Sequence, residues 1–92
     1  MKNAFHGTAR KIVRQLDGSK AYYYHRTTVA LLSPTGDTVR LTSGSWQTAT
    51  TKQAINQALE DLDRPERVTQ RDFDWFIGDT PFFDGIVLQP IG

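Results

Sequence analysis

The sequence predicts an α+β fold in a single small domain, residues 1–92, with a mostly antiparallel sheet of about four or five strands and one helix, about residues 51–62, packed on it. Three observations carry that reading. Ile55, Ala58, Leu59 and Leu62 recur at helical spacing, with Gln53, Asn56, Gln57, Glu60 and Asp61 on the other positions. Lys20 to Leu32 is dense in aromatic and β-branched residues, which fit a pleated strand. Turn-forming clusters, Asp17-Gly18-Ser19 and Ser33-Pro34-Thr35-Gly36-Asp37, bracket that segment and direct the chain back on itself.

The first segment, Thr8 to Leu16, fits two patterns. Ala9, Ile12, Val13 and Leu16 make a helical stripe, whereas the mixture of basic and β-branched residues suits an edge strand. The turn signal that follows favours the strand. Lys20 to Leu32 reads as one strand. Ala21, Tyr23, His25, Thr27, Val29 and Leu31 would share one face and the intervening residues the other, and both faces mix apolar with polar groups, so alternation does not choose the core side. Thr38 to Thr42 returns as a hairpin partner with Val39 and Leu41 on one face.

Between sheet and helix lies Ser43 to Lys52. Gly44 and its serines favour a turn, Trp46 offers a large apolar anchor, and Thr50 with Gln53 has the Thr-x-x-Gln spacing of a capping box. Trp46 is expected to be buried, clamping the junction. Pro65 cannot continue the helix. Arg67 to Arg71 and Phe73 to Ile77 then read as short strands broken near Asp72, and Gly78 to Pro81 as a loop. Phe82, Phe83, Ile86, Val87 and Leu88 close the core, or expose an aromatic patch.

Composition narrows the chemistry. With no cysteine, disulfides, thiolate nucleophiles and cysteine-based zinc sites are excluded, and His6 and His25 alone are too few for most metal sites. No stretch approaches the roughly 18 apolar residues of a membrane span, and Met1-Lys2-Asn3-Ala4 leads into no apolar signal core, so a soluble cytoplasmic protein is expected. The net charge of +1 hides a division. Up to Lys52, eight basic residues against two acids leave +6; beyond it, three against eight leave −5. Such a split suits halves that attract each other, copies that pair head to tail as a homodimer, or a basic surface for nucleic acid.

Two blocks resemble the motif of a family of small tailed-phage proteins: Tyr24-His25-Arg26-Thr27-Thr28-Val29, and Leu41-Thr42-Ser43-Gly44-Ser45-Trp46-Gln47-Thr48-Ala49-Thr50-Thr51-Lys52 followed by Asn56. The closing segment Arg67 to Phe76 is similar to that family's aromatic strand. Ser45 stands where the family pattern has a second glycine, which raises the question of whether both turn positions adopt positive φ. The resemblance implies no established activity. By analogy it implies an accessory protein that binds and redirects a host protein, a polymerase, nuclease or defence complex, anti-CRISPR action being one form.

Candidate sites follow from these readings. A catalytic arrangement would take His25 as base, Thr27, Ser43 or Ser45 as nucleophile and Asp72 as orienter; nothing in their spacing fixes that geometry, and no enzyme, metal or cofactor is expected. A nucleic-acid face would use Arg10, Arg14, Lys20 and Arg26, with Tyr22 and Tyr24 stacking bases. A protein interface, the preferred reading, would use Tyr22, Tyr24, Arg26, Trp75 and Phe83 as anchors. His25, Thr27, Gly44, Trp46, Thr50 and Lys52 are assigned structural roles, Thr50 as helix N-cap and Lys52 as an added charge at the helix start.

Overall fold

The computed structural model describes residues 4–90, which run in the order β1 (Arg10–Arg14), β2 (Lys20–Tyr24), β3 (Thr27–Leu32), β4 (Val39–Leu41), α1 (Ala49–Asp61), β5 (Val68–Arg71), β6 (Asp74–Ile77), β7 (Thr80–Pro81) and β8 (Ile86–Leu88). The α+β class is as expected, but the strands divide into two sheets. One has the order β1-β2-β3-β4-β8 and the other β5-β6-β7, and every pairing is antiparallel. Thr8 to Leu16 does hold a strand. Thr80–Pro81, read from sequence as loop, makes the short outer strand of the second sheet.

Register decides which face is core. Tyr22, Ala30, Leu41 and Ile86 lie in one row across the large sheet, and Leu32, Val39 and Leu88 in the next, all on the same side. They form one core cluster with Ala54, Ile55, Ala58 and Leu59 of α1 and with Val68, Trp75, Ile77 and Phe82 of the small sheet region. Helix and small sheet therefore cover the same face of the large sheet. The chain's expected apolar helix stripe is the buried one, and Val39 and Leu41 point inward as alternation required, with Arg40 exposed between them.

The segment Lys20 to Leu32 is not one strand. Tyr24 pairs with Thr27, leaving His25 and Arg26 as a two-residue turn, and His25 takes the left-handed φ of 57°. Aromatic and β-branched density favours extended backbone without saying where it reverses, and no Gly, Pro, Asn or Asp marked this turn. Histidine is among the few side chains enriched at positive φ. A bulge between Tyr22 and Tyr23 shifts the register further, so the face assignments made from strict alternation fail and His25 and Thr27 do not share a strand face.

The helix begins two residues earlier than the Thr50 reading. Thr48 is the N-cap, at φ −109° and ψ 164°, and its hydroxyl accepts from the Thr51 amide at 3.3 Å. Thr51 Oγ1 lies 3.0 Å from that same hydroxyl. Two capping threonines were available, and the one three residues before a buried Thr51 won. At the other end Asp63 enters the left-handed region at φ 58°, with its amide donating to Glu60 O and the Arg64 amide donating to Leu59 O. Those two bonds form a Schellman motif, completed without glycine, and Pro65 follows it.

Polar side chains fix the remaining layers. Asn56 donates to Val68 O and accepts from Val68 N at 2.7 Å, so one helix side chain anchors the start of β5. Arg64, buried, spans Glu66 and the carbonyl of Gln89, linking the helix end to the segment after β8. Lys20 and Asp61, one from each charge half, pair at 3.6 Å.

Candidate functional site

The two sequence blocks meet in space. The β2–β3 turn supplies Tyr24, His25, Arg26 and Thr27, and the loop between β4 and α1 supplies Ser43 and Trp46, with Thr51 from the helix; together they line a half-open cleft of about 580 Å³. Its walls are mainly apolar. Among the described residues no carboxylate lines it, and Arg26 is its one cation of fixed charge. Tyr24 is half-buried, carrying the His25 ring at 4.4 Å on one side and the Arg10 guanidinium at 4.9 Å.

Backbone geometry builds the loop wall. Gly44 and Ser45 both take positive φ, 62° and 68°, so the turn does use left-handed backbone twice although serine occupies the second position. Thr27 lies so close to Gly44 that a Cβ there would meet Thr27 Cγ2 at 2.7 Å and Oγ1 at 2.8 Å. Asp84 holds the loop from outside the cleft, accepting from the Ser43 amide at 2.8 Å, the Ser43 hydroxyl at 2.7 Å and the Ser45 amide at 3.1 Å. Burial would raise the Asp84 pKa, but the bonds from Ser43, Ser45 and Thr42 stabilise the carboxylate and together lower it.

That shift has a sign to test. A depressed folded-state pKa stabilises the fold above the ordinary value of 3.8 and loses that contribution as pH falls through the folded value. Asp84→Asn is therefore expected to lower Tm at neutral pH, with the gap to the parent closing as both are acidified below 3.8. Melting curves across pH check it. A gap that stays constant to low pH would show that the carboxylate's charge is not what holds the loop.

The structure sorts the candidate residues sharply. Tyr22 is fully buried and Trp75 is 5% exposed, so both are core groups and not interface anchors. Tyr22 sits edge-on to Phe5 and donates to Asp61 Oδ2 at 2.5 Å. Trp46, expected inside, is instead 68% exposed. The junction it was to clamp is held by Asp84, Thr48 and the Thr27–Gly44 contact, which leaves its ring free to wall the cleft. Phe83 is exposed as an anchor would be, outside the cleft lining. Thr50 is an exposed residue of the first helical turn, and Lys52 lies on a polar groove along the outer side of α1.

The basic residues do not form the expected strip. Arg10, Arg14 and Lys20 share the core-facing side of the sheet by register, but Tyr22 between them is buried. Arg10 donates to Gln57 at 2.6 Å and Lys20 pairs with Asp61, so helix side chains occupy both, while Arg26 stands apart in the turn. Of the catalytic arrangement, His25, Thr27 and Ser43 meet at the cleft; among the described residues no hydrogen bond joins His25 to Thr27, Ser43 or Ser45, and Asp72 lies in the β5–β6 turn. Sequence reasoning missed Asp84 and gave Asn56 as a motif position without a role, because each works through backbone groups that only the fold brings near.

The family model of the Kyanoviridae Gp96 protein matches residues 2–89. The chain belongs to that phage protein family. Nothing among the curated proteins or the solved structures matches it. The Gp96 match spans both sequence blocks, the cleft they build and the strands on either side, so the site lies wholly inside the family's own sequence. In this Gp96 member no helix of the described residues is long and apolar enough to cross a membrane.

Proposed function

We propose that the chain is a non-catalytic phage accessory protein that binds a host protein in the cytoplasm, through the Trp46 cleft, by receiving an exposed apolar or aromatic side chain next to a carboxylate. The observation that carries this is Trp46. A tryptophan 68% exposed on a loop pinned by Asp84 is a rigid, large apolar surface kept in water, and such residues dominate interface energetics. Arg26, from the β2–β3 turn, supplies a partner for the carboxylate, and Thr27 beside it supplies a hydroxyl. Redirecting a host enzyme or a defence complex needs such a surface and no internal chemistry.

Trp46→Ala is expected to leave stability within about 0.5 kcal/mol, because the ring contributes little buried area, and to abolish capture of the partner. The measurement is affinity capture from host lysate, with and without nuclease, using the parent and this variant. One host protein retained by the parent after nuclease and lost by Trp46→Ala supports the reading. Capture that survives the substitution overturns it. Binding that disappears on nuclease treatment and falls steeply with salt would instead make nucleic acid the ligand.

A further inference from the structure

The β5–β6 hairpin ends in an unusual turn. Arg71 pairs with Asp74, so Asp72 and Phe73 are its two central residues, and both take positive φ, 50° and 72°. That is a type I′ turn, whose sterics favour Asn-Gly or Asp-Gly; a bulky residue at its second position is strained. Phe73 is also 90% exposed. An aromatic ring held in strained backbone and turned into water stabilises nothing within its own chain, and such strain is characteristic of functional positions. Asp72 and Asp74 flank it on the exposed tip, while Arg71 is drawn back over the Phe76 ring at 4.2 Å.

The tip and the cleft are complementary. An aromatic side chain between two carboxylates is the chemistry that the Trp46 and Arg26 walls suit, in a cavity of about 580 Å³ that admits an aromatic ring. We propose that the Phe73 tip of one copy inserts into the Trp46 cleft of a second copy, an inference that rests on the cleft being a binding site. The contact also joins the acidic half of one chain to the basic half of the next, the head-to-tail pairing that the charge division suits. The self-contact and the host protein then compete for one cleft. Reciprocal insertion closes as a dimer; one-way insertion runs on into longer assemblies.

The test is sedimentation of the full chain over a range of concentrations. The parent is expected to self-associate. Phe73→Gly, which installs the Asp-Gly pair that this turn prefers, should fold at least as stably by Tm yet weaken self-association at least tenfold. Trp46→Ala should weaken it as much. Mixing the two variants is decisive, because one keeps the cleft and the other the tip: they should associate with each other at a mass neither reaches alone. A parent that stays monomeric to millimolar concentration, a Phe73→Gly variant that associates like the parent, or a mixture that does not associate overturns the proposal. Host capture separates the two ideas, since Phe73→Gly should retain it whether or not copies pair, whereas a wrong cleft assignment would show as Trp46→Ala retaining it.

Discussion

Tyr22→Ala is expected to destabilise the protein by about 3–5 kcal/mol, lowering Tm by on the order of 20 °C. The ring is fully buried on β2 of the large sheet, against Phe5, and its removal leaves a void that strands on either side cannot fill. Tyr22→Phe separates packing from polarity. It keeps the ring but withdraws the hydroxyl from Asp61, which retains Lys20 and the Ala4 amide, at a cost of about 1–2 kcal/mol. Burial, and then the hydrogen bond and charge of Asp61, push the phenol pKa well above its ordinary 10.0. A raised folded-state pKa stabilises below the unfolded value and is lost as pH rises, so the parent should lose stability above pH 10.0 where Tyr22→Phe loses less. Chemical denaturation at neutral and alkaline pH measures both effects. A Tyr22→Ala variant within 1 kcal/mol of the parent would mean that the ring is not in the core.

Gly44→Ala is the second large effect, expected at about 2–4 kcal/mol. Part comes from φ, since 62° disfavours any residue with a Cβ, and part from the added methyl meeting Thr27 at 2.7 Å. Thr27 is β-branched and set in the first position of β3, so it cannot swing aside freely. Gly36→Ala is the control: φ is 82° there but nothing lies within 4 Å, so only the backbone part, about 1 kcal/mol, should appear. Thr27→Ala in the Gly44→Ala background removes the two closest atoms and should recover part of the loss, a coupling that additive effects would not give. If Gly44→Ala costs no more than Gly36→Ala, the close approach carries no energy.

Local chemistry made several elements legible. The α1 stripe of Ile55, Ala58 and Leu59 shows in the sequence because one amphipathic period serves one buried face. Asp17-Gly18-Ser19 and Ser33 to Asp37 reverse the chain as their composition required, since Asp17 and Asp37 close these turns with their own side chains. The break near Asp72 was visible because strand residues flank it. Why Phe73 occupies that turn was not visible, because positive φ at a phenylalanine leaves no mark in composition.

The tertiary structure alone decided which aromatics are inside. Tyr22, Trp75 and Trp46 look alike as apolar anchors in a list of residues. Tyr22 is buried because the register beside a bulge turns it under α1, Trp75 because the small sheet closes over the same core, and Trp46 is exposed because Asp84, from 38 positions further along, fixes the loop that carries it. The cleft has the same origin. The sequence by itself determined an α+β domain with one helix, an uneven charge division and membership of a phage protein family; the split of the strands into two sheets, and the meeting of Tyr24 to Thr27 with Ser43 and Trp46 at one cleft, depended on long-range pairing. Local propensity acts over a few residues, whereas strand register and side-chain bonds to distant backbone are chosen by the free energy of the whole core.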